Sequence, residues 1–286
     1  MHTLFRNYRA SDPRYYQIAV LTCLVTYGIA VLDFGIHWYN AIAIAVTAQA
    51  VQFTGSRISG TAFDARSALV TSLSLTLLLR TDSIALAAAA ALIAIGSKFV
   101  VRINNKHIFN PANFAIVSLV ILTDDAWVST GQWGSATIGA LALACLGFIV
   151  LTRAKRAETT ISFLVAFAAL LLLRSWWLSD PLVIALHHLQ NGALLIFSFF
   201  MISDPKTTPN SADGRIIYGI FVATVAFAIQ FIWYEPNGPI LALILASPLV
   251  PVIDAFRAGP AYRWIERPHS KPTTPIERMS KPKGAF

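Results

Sequence analysis

Between residues 17 and 256 the chain is a succession of apolar runs separated by short charged or Gly/Pro-containing turns. A bilayer-spanning helix needs roughly 20 mostly apolar residues. The runs at 17–36, 38–54, 65–80, 83–101, 110–123, 132–152, 159–178, 182–203, 215–234 and 238–256 fit that description, the fifth being short. The pattern predicts an all-α polytopic membrane protein with about ten transmembrane helices. Residues 1–16 form a polar N-terminal segment that leads straight into a long span, so no cleavable signal peptide is expected. Residues 257–286, rich in Pro, Lys and Arg, are expected to be a disordered basic tail.

Composition agrees with the pattern. The chain is 56% hydrophobic and 13% charged, against about 25% charged in a soluble domain. The charges also set an orientation. With the ten spans as drawn, of the 22 Lys and Arg only Arg80 and Arg174 fall on one side. The others flank the alternate loops and the termini, which by the positive-inside rule makes both termini cytoplasmic, in a multi-pass inner-membrane protein. Asp124, Asp125, Asp180 and Glu235 sit in the opposite loops, and most of the tryptophans, including Trp127, Trp133, Trp176, Trp177 and Trp233, lie at outer helix ends. The net charge of +8 is accounted for by this topology and not by a nucleic-acid partner.

Ten spans divide into five and five, and an odd number per half makes any internal repeat inverted. The first repeat is placed at about 17–123 and the second at about 132–256. "SALVTSLSLTLLLRTD" in span three is echoed by "GALLIFSFFMISDP" in span eight, and "FNPANFAI" at the entry to span five by "EPNGPILA" at the entry to span ten. Proline cannot donate to a helix, and it pushes the residue before it out of helical geometry. Carbonyls freed in hydrocarbon cost several kcal/mol each unless met by side chains or by a cavity. Asn110, Asn113 and Asn237 are placed to meet them, and paired interrupted helices mark the central site of many transporters. The plainer alternative is that Pro111 and Pro236 simply start helices beside an Asn cap.

Cys23 and Cys145 lie singly in apolar runs, without metal or redox spacing. His187 and His188 are adjacent, point about 100° apart on a helix, and are read with Gln190 and Asn191 as polar anchors at the outer rim. The loop "SDPKTTPNSADGR" stops span eight at Asp204 and offers Lys206, Thr207 and Thr208 as donors to a phosphate or a neighbouring subunit. A turn that merely ends the helix is the alternative there. Asp33, Lys98 and Asp254 each lie near the end of a span, where snorkelling also explains them.

Four stretches together resemble one family: "FDARSALVTSLSLTLLL", "IGSKFVVRINNKHIFNPANF", "NGALLIFSFFMISDPKTTPNSADGRIIYG" and "NGPILALILASPLVPVIDAF". In order and spacing they are similar to RnfD, a membrane component of the Rnf electron-transport complex, and to its relative NqrB of the sodium-pumping NADH:quinone reductase (the RnfD/NqrB family). The resemblance implies a membrane subunit that carries electrons on flavin and couples redox to sodium or proton movement, with electrons delivered by partner membrane and peripheral redox subunits. In that family FMN is joined to the threonine of a Ser-Gly-Ala-Thr signature. Here the corresponding "DDAWVSTGQWGSATIGAL" has Gly134, Ser135, Ala136 and Thr137, with Gly and Ser transposed and no acidic residue just before them. Thr137 is the candidate for covalent FMN, and small residues that pack the start of span six are the alternative. Lys98 and Asp254 fall within the similar stretches as candidates for an ion path or, for Lys98, a flavin phosphate contact. With no GxGxxG dinucleotide motif, the chain is at most a subunit of an oxidoreductase. A cofactor-free transporter or channel for a small solute or ion, and a structural anchor for a redox partner, are the competing readings.

Overall fold

The computed structural model describes residues 12–31, 35–103, 106–128 and 157–262. Asp33, Cys145, Trp133, Thr137 and the sixth expected span lie outside the described residues, as do 1–11 and most of the tail. Residues 13–262 form one compact unit. Its elements in order are α1 (Pro13–Ala30), α2 (Trp38–Ile58), α3 (Ala65–Leu78), β1 (Leu79–Arg80), α4 (Ile84–Val100), β2 (Arg102–Ile103), β3 (Lys106–His107), α5 (Pro111–Leu122), β4 (Trp127–Val128), α6 (Ala157–Leu178), α7 (Leu182–Leu189), α8 (Gly192–Ile196, continuing as a π turn over Phe197–Met201), α9 (Ala212–Phe231), α10 (Gly238–Ala246) and α11 (Leu249–Phe256).

Helices thus occupy every expected segment that the described residues include. By length and composition α6 and α9 can each cross a bilayer. The pairs α7 with α8 and α10 with α11 pass only as bent units, folded by 50° and 52°. Helices α3, α4 and α5 are apolar but short; the 12 residues of α5 rise only about 18 Å, against a hydrocarbon core of about 30 Å.

The interior is built from small residues. Ala87, Ala90, Ala91 and Ala94 on α4 are fully buried, while Trp176, Trp177 and Val165 on α6 and Ile217 and Phe221 on α9 are exposed. That inversion is the packing expected where the surroundings are as apolar as the core. The most extensive helix contacts are α6 with α9, α2 with α4, and α9 with α10, followed by α2 with α3 and α4 with α5. Both long pairs run in parallel. Arg215 pairs with Glu158 at the start of α9 and α6, and the Arg174 guanidinium lies over Phe231 at their ends. In the other pair a Cβ on Gly55 would strike the Phe99 ring, near the ends of α2 and α4.

Two short ribbons tie the remaining ends. Leu79 and Arg80 pair with Val128 and Trp127, and Arg102 and Ile103 with His107 and Lys106. Arg80 is buried and donates to the carbonyls of Thr76, Leu77 and Leu79, closing the end of α3. A cation suits that end because it carries the negative pole of the helix.

A Cβ at Gly219 would lie 2.7 Å from the Thr159 carbonyl and closer still to the Ser162 hydroxyl. Gly219→Ala is therefore expected to push α6 and α9 apart and cost about 1–3 kcal/mol. Gly96→Ala, which meets nothing within 4 Å, should be neutral or stabilising by up to about 1 kcal/mol. Thermal unfolding of the two variants in detergent checks both expectations.

Candidate functional site at the interrupted helices

The entry to α5 shows how the backbone accommodates Pro111. Asn110 is extended, with φ −61° and ψ 124°, and its side-chain oxygen accepts from the Asn113 N–H at 3.1 Å. Its amide Nδ2 donates to the Met201 carbonyl at 3.3 Å. One turn on, Asn113 Nδ2 donates to the Ile240 carbonyl at 3.0 Å, across 127 residues of sequence. The first turns of α5 and α10 therefore touch. From that contact the chain departs to opposite ends of the unit. Helix α5 leads to Val128, which lies beside Gln230 and Pro236, whereas α10 and α11 lead to Asp254, bonded to Lys106. Asn113 is almost wholly buried, and its Oδ1 has no partner among the described residues.

The second interruption was not expected from the sequence. The run at 182–203 is one apolar stretch, yet it breaks at Gln190 and Asn191. Asn191 caps α8, accepting from Ala193 N at 2.8 Å and Leu194 N at 3.3 Å; it is a helix cap and not a rim anchor. At its far end α8 widens into the π turn Phe197–Met201. A wide turn misaligns carbonyls, and side chains take them up: Thr160 Oγ1 donates to Ser198 O at 2.6 Å, and Asn110 to Met201 O. Asn237 behaves differently from its counterpart Asn110. It makes no side-chain cap on α10, and its amide donates to Glu235 at 3.0 Å. A Cβ on Gly238 would lie 2.6 Å from the Ala226 carbonyl, so glycine lets α10 start directly against α9.

A cavity of about 60 Å³ opens at the meeting of the α7–α8 break with the start of α10, lined by His188, Asn191, Phe167, Gln230, Asn237 and Ile240 among others.

The other sequence-derived candidates gather at the opposite end. Lys98 is buried and does not snorkel; its Nζ donates to Ser67 O, Ser67 Oγ and Thr71 Oγ1 at 3.2, 3.1 and 2.9 Å. Asp254 accepts from Lys106 Nζ at 2.8 Å, Asn210 N at 2.7 Å and Asn210 Nδ2 at 3.1 Å. Asp204 accepts the Lys206 N–H at 2.9 Å, and its carbonyl accepts the Thr208 and Thr207 hydroxyls at 3.1 and 3.4 Å. The two threonines are thus engaged in the turn and buried, and Lys206 Nζ reaches the Tyr262 carbonyl at 3.4 Å. Burial raises the Asp204 pKa, against the opposing effects of the Lys206 N–H and of Lys98, Lys206 and Lys106. Burial likewise lowers that of Lys206. His107 is pushed down to about 4, first by burial and then by Lys98, Arg102 and Lys206 around it.

Residues 123–262 match the model of the NQR2, RnfD, RnfE family. The chain is 32% identical over 117 residues to an ion-translocating oxidoreductase complex subunit of Erwinia tasmaniensis, covering 40% of this chain and 33% of that protein. It is 29% identical over 139 residues to the protein of the same name from Escherichia coli K12, covering 48% and 35%, and 31% identical over 117 residues to that of Salmonella enteritidis, covering 40% and 33%. The matched stretches span about a third of the length of these curated relatives.

Asn113→Leu should remove the bond that ties α5 to the Ile240 carbonyl, at a cost of about 0.5–1.5 kcal/mol. Asn237→Ala removes only a contact with part-exposed Glu235 and should stay within about 0.5 kcal/mol. Detergent melting curves of the pair distinguish the two roles. The lowered His107 pKa makes a pH prediction as well. Below about pH 6.5 the unfolded chain takes up a proton that the folded state refuses until about pH 4. Stability should therefore be level above that window and fall through it by at most about 3 kcal/mol, less for residual solvent screening. His107→Gln should flatten that limb of a stability–pH profile.

Proposed function

We propose, from the match of residues 123–262 to the model of the NQR2, RnfD, RnfE family, that the chain is an integral membrane subunit of an Rnf-like electron-transport complex coupled to ion translocation. The observation that carries the reading is the Asn113–Ile240 contact between the first turns of two interrupted helices. It sits where such a scaffold gathers polar backbone at membrane depth.

The proposal includes ten spans in two inverted five-helix repeats with cytoplasmic termini in the inner membrane. Two features support it. The packing of α2 on α4 and of α4 on α5 has its counterpart in that of α6 on α9 and of α9 on α10. The chain also leaves the α5–α10 contact toward opposite ends, as inversion requires. The basic loops support the orientation, since Lys98, Lys106, Lys206 and Arg215 gather at the end that also holds Asp204 and Asp254.

The redox part of the proposal is flavin carriage. Thr137 is the candidate for attachment of FMN through its hydroxyl. Asn110 and Asn113 supply amide groups at the helix junction, with one Asn113 oxygen left for a ligand. Bound flavin would supply the electron-carrying ring; the chain's own residues position it and keep it from bulk water. Lys98, Lys206 and Asp204 form the charged surroundings at the cytoplasmic end. Other membrane and peripheral subunits deliver and remove the electrons.

Denaturing electrophoresis of the protein expressed in its native membrane, read by flavin fluorescence and peptide mass, tests this directly. The expected result is a fluorescent band that Thr137→Ala abolishes. A band without covalent flavin, from protein that also holds none after gentle purification, would overturn flavin carriage and favour solute or ion transport without a cofactor.

A further inference from the structure

Gln230 is a polar side chain of α9 in apolar surroundings. It lies near the end of the helix in "VATVAFAIQF", and among the described residues it has no hydrogen-bond partner. The His188 imidazole lies edge-on to Phe231 at 5.3 Å. Neither side chain is fully buried, and both line the same cavity with Asn191 and Asn237. A primary amide left bare in hydrocarbon costs several kcal/mol. Placed beside a cavity, it is satisfied by water.

The cavity has the size and chemistry for that. About 60 Å³ exceeds several times the roughly 10–15 Å³ of probe space that one water needs. Among the described residues no carboxylate, ammonium or guanidinium lines it. The nearest charges are engaged by other groups: Glu235 accepts from Asn237, and Arg174 is paired to Asp180 and lies over Phe231. Neutral donors and acceptors without a fixed charge select uncharged hydrophilic molecules.

We propose that this cavity is an aqueous vestibule that admits water and neutral solutes of a few heavy atoms to the break between α7 and α8, opening at the end of the unit where α6 and α9 finish. Its floor is Ile240, whose carbonyl holds Asn113, so water reaches the back of the contact between α5 and α10. The proposal rests on the membrane-spanning reading but not on flavin.

The experiment is cysteine accessibility in sealed membrane vesicles of both orientations, on full-length protein with Cys23 and Cys145 replaced by serine. Single cysteines are introduced as Gln230→Cys and Leu194→Cys in the cavity, Asp125→Cys in the exposed loop before β4, and Val165→Cys on the exposed apolar face of α6. Each is treated with a membrane-impermeant, positively charged thiosulfonate and with a small neutral one. The expected result is that Gln230→Cys and Leu194→Cys react with the neutral reagent within about tenfold of the rate of Asp125→Cys, while Val165→Cys reacts at least about 100-fold more slowly, because the thiolate needs water. Cavity cysteines as silent as Val165→Cys, beside a reactive Asp125→Cys, would overturn the vestibule. Equal reaction of Gln230→Cys with the charged reagent would overturn the selection for neutral molecules. The side on which Asp125→Cys reacts reports the orientation separately, so an inverted topology is not confused with a closed cavity.

Discussion

A backbone carbonyl or amide cannot be left bare in an apolar interior, and this constraint governs the centre of the molecule. The chain interrupts its helices where Pro111 enters α5, where α7 gives way to α8, and where α10 begins against α9. At each interruption a short neutral side chain bonds the backbone: Asn110 at Met201, Asn113 as a second donor at Ile240, Asn191 at the first turn of α8, and Thr160 at Ser198. Because two of these bonds, Asn110 to Met201 and Asn113 to Ile240, run from the first half of the chain to the second, they also tie the two halves together. Asn110 and Asn113 serve the local turn and the long-range tie at once, which one residue type does here only because a primary amide both donates and accepts.

The two ends of the unit then acquire opposite chemistry. At one end charged groups close on each other: Lys106 with Asp254 and Asn210, Arg215 with Glu158, and Asp204 folded into its own turn. These contacts link the ribbon before α5 to the loop after α8 and to α11, so they fasten elements from both halves. At the other end, beside the Arg174–Asp180 pair, the cavity is bounded by neutral groups: amides, an imidazole and rings. The rigid frame between the ends is the small-residue packing of α2 on α4 and α6 on α9, which brings backbones close enough that Gly55 and Gly219 have no room for a side chain.

The parts of this arrangement that were legible in the sequence are those that leave a local trace. Apolar runs bounded by charge located the helices, and the Asn-Pro pair at 110–111 announced both an interruption and the side chain that answers it. The break at Gln190 and Asn191 left a fainter trace. Its Asn-Gly pair lies inside a run apolar enough to read as one span, and the bend depends on α10 and α9 packing beside it. The π turn has no local signature at all in "FSFFM", since what stabilises it is Thr160 and Asn110 from elsewhere. Position along a span also misjudged Lys98. Its nearness to a helix end suggested snorkelling, but Ser67 and Thr71 stand one turn apart on the same face of α3 and hold the ammonium inside. Contacts of that kind are set by which helices become neighbours, which a single sequence does not print.

The use of interrupted helices at the centre, with charges held near one end, follows from relative cost. An ionised side chain at mid-membrane costs at least about 2.5 kcal/mol and needs a partner to persist. Backbone dipoles are present in every residue and need only be turned from their helical partners. Polar capacity can therefore be placed deep in the bilayer by breaking a helix, provided the freed groups find an amide or water nearby. Asn113 illustrates both halves of that condition: its amide nitrogen satisfies the backbone of α10, and its oxygen, buried without a protein partner, remains available to whatever reaches the junction. The result is a centre that is polar yet uncharged, between an end closed by charged contacts and an end that holds a cavity lined by neutral groups.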